Sequence, residues 1–406
     1  MRRRSPRRIL CIAALLPLAA GILVVGTSIP SGAAQFFNNW GVVAVPATGP
    51  IPVDVSCWQP THCIAIGGGM IEQSTGSRWT IDTSAPSLDD YGISCPSASF
   101  CIVVGAHSSV PGIEEWNGST WRLLSGPKAN GFLSAVSCTS PSNCVAIGQY
   151  SDGSELTEVW NGPNGAIEPP VAHAVLNSIS CVSASSPPTC FAVGLNTSSK
   201  LPMAEMWKGG WSEQAEPPIT GYYSSLNAIS CPATNDCTAV GEYDQIAESE
   251  GGDLVEHWNG LTWTVTDLNR RFLLTNVSCS SSTYCSAIGL DTNVGPESGT
   301  TPLYEFDGHS WSDDQNPTYG IGPGLTGISC NAPGHCTAVG QLNYAGQGPF
   351  PLVVTTPPPI PPSAYQEVAA DGGVFSFAPP GIPADFFGSM GGQHLNAPIV
   401  GITLAG

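Results

Sequence analysis

The sequence predicts an all-β fold, a seven-bladed β-propeller of four-stranded antiparallel blades. The main observation is a unit that recurs seven times between Cys57 and Cys336, made of a Ser-Cys pair, a second Cys and an apolar-apolar-Gly step. A Trp follows at a fixed place in six of the repeats. The period is about 45 residues, the length of one four-stranded propeller blade, and such self-similarity indicates a repeat protein.

Each unit is predicted to form four short strands. The first ends in the Ser-Cys pair, as in residues 133–138, and alternates apolar with polar residues, which is typical of a strand. The second begins at the second Cys and ends at Gly, as in residues 144–148. The third and fourth flank an Asn-Gly or Asp-Gly dipeptide, as in residues 114–121, and this dipeptide is the strongest short-range hairpin signal. The four strands are therefore joined as a meander.

The two ends of the repeat array predict a closed ring. Residues 36–43 resemble the end of a unit, and residues 351–355 align with a third strand. We expect the N-terminal segment to supply the outermost strand of the blade that the C-terminal segment begins, which removes an exposed edge. A solenoid is the alternative, but it needs polar capping repeats, and neither end of the array has them.

Residues 1–34 are predicted to be a secretory signal peptide. An arginine-rich start precedes an apolar run over residues 9–25, and small residues precede a cut after Ala33 or Ala34. The apolar run is long, so an uncleaved N-terminal anchor is the alternative. We therefore expect the protein to be secreted or to lie at the cell surface.

Fourteen cysteines follow the leader, and export to an oxidising compartment favours their pairing within each unit. Two cysteines that flank a short hairpin loop can face each other directly across neighbouring strands. Zinc is the alternative, but zinc sites use closer spacing, and no His recurs in register with these cysteines. The predicted disulfides are Cys57–Cys63, Cys95–Cys101, Cys138–Cys144, Cys181–Cys190, Cys231–Cys237, Cys279–Cys285 and Cys330–Cys336.

Composition agrees with a β-rich, acidic, exported protein. Only 11% of the 406 residues are charged, and 47 Gly and 37 Pro suit short strands and many turns. Five of the twelve basic residues lie in the leader, which leaves a net charge of −24 on the remainder. Nucleic acid is an unexpected partner on these electrostatic grounds, and so is a membrane surface apart from the N-terminal anchor.

The recurring tryptophans are interpreted as packing residues. A residue that every repeat requires is most simply a requirement of the fold, so we expect these rings to wedge neighbouring blades together. The alternative is sugar binding, and the Asp307–Trp311 segment faintly resembles the Asp-box of sialidase-type propellers, although the spacing differs. The tryptophans that share this place are Trp40, Trp79, Trp121, Trp211, Trp263 and Trp311.

Binding is predicted on one rim of the propeller. The Cys loop and the Asn-Gly turn should share a rim, which leaves the variable connections on the opposite one, and variable loops on a rigid scaffold often carry function. Tyr222, Tyr223 and Tyr344 fall on this rim as well. The predicted binding residues are Tyr243, Asp244, Arg270, Arg271 and Tyr319.

Calcium is the one cofactor that the sequence suggests. Acidic residues cluster after Gly241, and calcium favours oxygen ligands. The alternative is a solvated acidic loop without a metal. The predicted ligands are Glu242, Asp244, Glu248 and Asp253.

No convincing catalytic set occurs in the sequence. The seven His residues occupy unrelated repeat positions, and a Gly-x-Ser-x-Gly elbow is absent. We therefore predict a non-catalytic binding or scaffold module for an extracellular glycan or protein. The alternative is a glycan-acting enzyme, a lyase or sialidase-like hydrolase, with its site at the channel mouth on the variable rim.

The predicted propeller spans residues 35–356, and two further segments follow it. Residues 357–363 form a Pro-rich linker, and residues 364–406 form a single C-terminal repeat unit, too short to hold a core alone.

The Cys-x5-Cys and Trp-Asn-Gly-x-x-Trp units resemble a repeat family of secreted actinobacterial propeller-like proteins. The tail resembles a second repeat, normally found in tandem and sometimes beside cell-wall hydrolases. Here it has one copy with an interrupted middle, and the sequence stops where another copy would begin, which suggests a truncated or fragmentary chain. Both resemblances imply export and no particular activity.

Overall fold

The computed structural model describes residues 36–37, 40–43, 45, 49–68, 70–75, 78–82, 88–160, 165–169, 174–182, 187–217, 222–245, 252–266, 268, 272–291, 301–313, 323–344, 347–356, 365–368 and 374–377. The chain divides into two units, residues 1–33 and 34–406, and every described residue lies in the second. All regular secondary structure among these residues is β-strand. None of them forms a helix long and apolar enough to cross a membrane.

The strands group into seven blades and a separate hairpin. Two short strands, β1 (Phe36–Phe37) and β2 (Trp40–Val43), come first. The first three blades are β3 (Asp54–Gln59), β4 (His62–Gly67), β5 (Met70–Thr75) and β6 (Arg78–Asp82); β7 (Asp89–Ser97), β8 (Phe100–His107), β9 (Val110–Trp116) and β10 (Trp121–Leu124); and β11 (Gly131–Ser140), β12 (Asn143–Tyr150), β13 (Glu155–Trp160) and β14 (Gly165–Glu168).

The next three blades repeat this order. They are β15 (Ala174–Val182), β16 (Thr189–Asn196), β17 (Pro202–Trp207) and β18 (Trp211–Gln214); β19 (Tyr222–Ala233), β20 (Asp236–Gln245), β21 (Gly252–Trp258) and β22 (Trp263–Thr266); and β23 (Phe272–Ser281), β24 (Tyr284–Asp291), β25 (Leu303–Phe306) and β26 (Trp311–Asp313). Blade 7 contributes β27 (Pro323–Ala332), β28 (His335–Tyr344) and β29 (Gln347–Thr355), and the tail forms the hairpin β30 (Tyr365–Val368) and β31 (Val374–Phe377).

The predicted seven-bladed propeller is confirmed, and so is its closure. Each of the first six blades is an antiparallel meander, and the first strand of every blade contacts the first strands of both neighbouring blades. In blade 7, β2 pairs antiparallel with β29, with Gly41 opposite Thr355. The N-terminal strand therefore completes the blade that the C-terminal strands begin. One detail differs from the prediction, because β1 adds a fifth strand to this sheet.

The meander order places the connections on two rims. The loop between strands one and two and the turn between strands three and four lie on one rim, which we call the Cys rim. The other two connections lie on the opposite rim, which we call the variable rim.

The hydrophobic core is divided among the seven junctions between blades. Each of seven clusters contains buried residues from two consecutive blades, including the junction between blades 7 and 1. The recurring tryptophans belong to these clusters, and Trp40, Trp79, Trp121 and Trp263 are buried. The packing role predicted for them is confirmed. No blade can bury both faces of its sheet alone, so the ring is the folding unit.

All seven predicted disulfides are present. In each, the two cysteines belong to the first and second strands of one blade, and their Cα atoms are 3.9–4.1 Å apart. Cys138 lies directly opposite Cys144 in the strand register, as the hairpin argument predicted. Every blade thus carries its own cross-link beside the Cys rim.

The serine before each first cysteine joins neighbouring blades, a role that the sequence did not reveal. The hydroxyl of Ser56 accepts a hydrogen bond from the backbone N–H of Cys95 in the next blade, at 2.9 Å. Equivalent bonds of 2.8–3.0 Å recur at every junction, and Ser329 closes the circuit by accepting from the N–H of Cys57. Seven side-chain bonds therefore connect the inner strands into a ring.

Blades 2 to 5 bury a glutamate at one place on the third strand, two residues before its Trp: Glu114, Glu158, Glu205 and Glu256. Burial raises the pKa of Glu114 to about 8, and that of Glu158 and Glu205 to about 7. Glu256 lies against Glu216 of the preceding blade; burial raises the pKa of both, to about 10 for Glu216. The junctions therefore hold carboxyl groups that are protonated at mildly acidic pH.

Candidate functional site

The first strands of the blades carry a backbone irregularity close to the variable rim. Six of the described inner strands have a bulge four residues before the first cysteine, where one residue is left without a partner in the ladder. In five blades the bulged residue is polar and its side chain bonds a backbone carbonyl. These residues are Ser134, Asn177, Asn227, Thr275 and Thr326.

Blade 2 departs from this pattern with an aromatic residue. Its bulged residue is Tyr91, which lies between Asp90 and Gly92 in the register of β7 and is 48% exposed. In the other bulged strands, the same position holds a small polar side chain that donates a hydrogen bond to a backbone carbonyl. The fold therefore does not require an aromatic ring there. Tyr91 is therefore a candidate binding residue.

A second exposed ring lies beside Tyr91 on the next blade. Phe132, near the start of β11, is 37% exposed, and its ring centroid is 5.6 Å from that of Tyr91, with the planes tilted by 59°. Tilted pairs at this distance are favourable aromatic contacts. The two rings form an exposed apolar surface that spans the junction of blades 2 and 3, and we call it the aromatic pair.

A turn with unusual backbone angles lies next to the aromatic pair. Ser108 and Ser109 connect β8 to β9 with φ angles of 52° and 70°. Two-residue hairpins of this type prefer Asn-Gly, because both residues need positive φ, so each serine is strained by about 1 kcal/mol or more. The carbonyl of Ser109 accepts a hydrogen bond of 3.0 Å from the N–H of Gly131. The strained turn is thus fixed to the strand that carries Phe132.

The junction of blades 4 and 5 repeats this arrangement. Lys200 also has a positive φ, of 62°, and its carbonyl accepts a hydrogen bond of 3.2 Å from the N–H of Ser224. The neighbouring Tyr223 is 40% exposed. Aromatic surface and strained connections therefore coincide at two places on the variable rim. Tyr223 lies on the rim where the sequence placed it, whereas Tyr91 and Phe132 were not predicted.

The predicted binding residues are only partly described. Tyr243 is half-buried and packs against the core between blades 4 and 5, facing Gly252 across the ladder. Asp244 lies on β20 opposite Tyr223, and its side chain is outside the described residues. Arg270, Arg271 and Tyr319 also lie outside them. This set remains a prediction, and so does the enzyme alternative, which depends on such residues converging at the channel mouth.

The calcium prediction is likewise untested. Glu242 and Asp253 are opposite each other in the register of β20 and β21, and Asp253 is buried, accepting a hydrogen bond of 3.0 Å from the N–H of Leu268. Glu248 and the side chain of Asp244 are outside the described residues. Within the part of the chain that is described, no three His, Cys, Asp or Glu residues form a group that could hold a metal.

The Asp-box resemblance has a structural explanation. The carboxylate of Asp307 accepts hydrogen bonds from the N–H groups of His309 and Ser310, which shape the turn between β25 and β26. These bonds lower the pKa of Asp307. Asn117 and Asn259 hold the corresponding turns of blades 2 and 5 in the same way. The Asp or Asn at this place is therefore a turn residue.

Comparison with solved structures supports the architecture. YCF48 with a bound peptide matches with a TM-score of 0.53 and 13% identity, over 80% of this chain and 96% of that one. YCF48 from Cyanidioschyzon merolae matches with a TM-score of 0.52 and 15% identity, over 78% of this chain and 98% of the other. The WD40 repeats of RRP9 match with a TM-score of 0.54 and 11% identity, over 80% of this chain and 99% of that one. No family model matches the chain, and no curated protein does. These likenesses show that the chain has the β-propeller fold.

Proposed function

We propose that this chain is an extracellular β-propeller that binds a polypeptide partner at its variable rim. The exposed aromatic pair of Tyr91 and Phe132 carries the proposal. Exposed aromatic rings on a rigid frame are typical anchors of protein interfaces, because they bury much area at little cost in side-chain entropy. The strained turn of Ser108 and Ser109 holds the surface in one shape before binding, which favours affinity.

The connections of the variable rim carry charges of both signs. Seven Lys or Arg residues follow the leader, in a remainder with a net charge of −24. By their place in the sequence, four of the seven fall in connections of the variable rim: Lys128, Lys200, Arg270 and Arg271. Seven acidic residues fall in the same set of connections: Asp152, Glu216, Glu248, Glu250, Asp267, Glu297 and Asp314. Charge therefore does not select the partner, and the proposal rests on apolar anchors that match the rings.

Export of the protein is part of the proposal. Seven disulfides in one chain favour an oxidising compartment, and the predicted leader supplies a route to it. The resemblance of the repeats to secreted actinobacterial proteins agrees with this. A peptide is bound to one propeller of similar fold, YCF48, which is consistent with a polypeptide ligand.

A displayed random-peptide library tests the function. Selection on the exported protein should enrich peptides that contain aromatic or aliphatic residues. Enrichment should be lost on the Tyr91→Ala/Phe132→Ala double variant, and Leu261→Ala, which removes an 85% exposed side chain on the Cys rim, should not change it. Enrichment that the double variant retains would contradict the proposal. Repeating the selection with calcium and with a chelator tests the predicted metal site.

A further inference from the structure

A cleft on the opposite rim is independent of the aromatic pair. It opens between the outer strands of blades 5 and 6, beside the Cys rim, and its volume is about 770 Å³. Pockets that hold small ligands usually have volumes of about 300–1,000 Å³. The cleft is lined by residues of β21 and β22 on one side and of β25 and β26 on the other. All of its lining residues are described.

Blade 6 supplies an aromatic wall through departures from the repeat. Tyr304 occupies the place where blades 2 to 5 bury a glutamate, and Phe306 occupies the place of their first Trp. Trp311 is half-buried, with its ring centroid 5.4 Å from that of Phe306. Phe306 and Trp311, both partly buried, therefore line the cleft, and the buried Tyr304 adds to its lining where the other junctions have a carboxyl group.

Blade 5 supplies a polar wall that contains a histidine and a carboxylate. Nε2 of His257 lies 3.0 Å from Oδ1 of Asp236. The place of His257 holds Glu115 in blade 2, Val159 in blade 3, Met206 in blade 4 and Glu305 in blade 6, so the repeat does not require a histidine here. The imidazole is partly exposed, and its contact with the carboxylate fixes the orientation of both groups at the cleft.

The entrance carries a second histidine. Two backbone bonds to Asp307 hold the turn between β25 and β26, which leaves His309 exposed at the mouth of the cleft. The equivalent residue is Ser119 in blade 2 and Leu261 in blade 5, so the turn itself does not select a histidine. Unusual residues from both blades thus meet at this one junction.

The chemistry of the walls favours a neutral sugar. Aromatic rings present a negative face to the polarised C–H groups of a pyranose, while imidazole, carboxylate and hydroxyl groups bond its hydroxyls. The lining residues include Asp236, two histidines and several threonine and serine hydroxyls, but no Lys or Arg. Anionic sugars usually require such a cation. We propose that the cleft between blades 5 and 6 binds a neutral mono- or disaccharide.

Saturation-transfer NMR at pH 8 tests the proposal on the exported protein. The probes are the methyl glycosides of galactose, glucose, mannose, fucose and N-acetylglucosamine, with glucuronic acid and N-acetylneuraminic acid as anionic comparisons. At least one neutral sugar should give a signal. Trp311→Ala should abolish it, and His309→Ala, on an exposed turn that should still fold, should weaken affinity about tenfold. The matched control is Trp211→Ala, the equivalent tryptophan of blade 4.

Three results of the sugar-binding experiment would overturn the proposal. Absence of a signal from every neutral sugar overturns the proposal, as does a stronger signal from an anionic sugar. A signal that survives both Trp311→Ala and His309→Ala places binding elsewhere and also overturns it. Tyr91→Ala should leave the sugar signal unchanged, so this test and the test of the variable rim can fail separately.

Discussion

Replacing Glu114 with Gln should make the propeller more stable at alkaline pH while changing its stability little at pH 5. Glu114 is fully buried on β9, and among the described residues neither of its carboxyl oxygens has a hydrogen-bond partner. Burial, reinforced by the negative charge of Asp90, raises its pKa from 4.5 to about 8. The folded protein therefore holds a proton here that the unfolded chain releases.

The sign and the size of the effect follow from linkage. Between pH 4.5 and pH 8 the folded state binds more protons than the unfolded state, so the free energy of unfolding falls as pH rises through this window. Integration from pH 5 to pH 8.5 gives a loss of about 4 kcal/mol from Glu114 alone. Glutamine keeps the shape without the charge and should remove this loss. Asp152 accepts hydrogen bonds from Ser154 that lower its pKa below its usual value, so its titration lies below this window.

Urea unfolding monitored by tryptophan fluorescence at pH 5 and pH 8.5 measures the difference. The stability of the native chain should fall by about 4 kcal/mol more than that of Glu114→Gln over this range. Glu115→Gln is the matched control, because Glu115 is adjacent in sequence, is partly exposed and pairs with Arg122 at 3.2 Å. Parallel pH profiles for the native chain and Glu114→Gln would refute the assignment of a raised pKa to this buried carboxyl.

Three further predictions concern the ring and its export. Ser137→Ala should lower the free energy of unfolding by about 1–3 kcal/mol, because the N–H of Cys181 loses its acceptor, whereas Ser142→Ala on an exposed loop should change little. Replacing both Cys138 and Cys144 by Ala should cost about 2 kcal/mol in urea unfolding, as expected for a short loop. Intact mass after non-reducing alkylation of the exported protein should show a cut at the end of the leader and no alkylated cysteine; several free thiols would contradict the pairing.

The repeat made the architecture predictable from sequence. Blade number, the disulfide pairs and the closing role of the N-terminal strand all followed from aligning one unit with the next, because each blade repeats the same hairpin register. The short strand β1 was not predicted, since it has no equivalent in any other unit.

The contacts between blades could not be predicted in the same way. The hydroxyl of Ser56 finds its partner 39 residues away in the next blade, and local patterns do not define that register. The signal was nevertheless present, since a serine precedes the first cysteine in all seven units. Glu114 precedes Trp116 by two residues, which places both on one face of β9, but glutamate is rarely buried, so its burial was not predicted.

The candidate sites were harder to predict because their signal is a departure from the repeat. Tyr91 is recognised as unusual only once the bulges are aligned, because its counterparts are then Ser, Asn or Thr residues that donate hydrogen bonds to backbone carbonyls. The predictions favoured long acidic connections instead, because such loops are conspicuous in sequence. A single aromatic residue inside a regular strand is not conspicuous in sequence.

Each blade serves as a control for the others, and this separates the requirements of the fold from those of binding. A buried carboxyl destabilises a junction at neutral pH, and blade 6 shows with Tyr304 that the same place accepts an apolar ring. The hydrogen bond from a serine to the next blade, by contrast, recurs at every junction, so loss of one such serine should weaken any blade similarly. Tyr91 and His309 belong to neither pattern, because other blades fold with different residues at their places. Substitutions at these two residues should therefore change binding with little effect on unfolding, which is the behaviour that distinguishes a binding residue from a structural one.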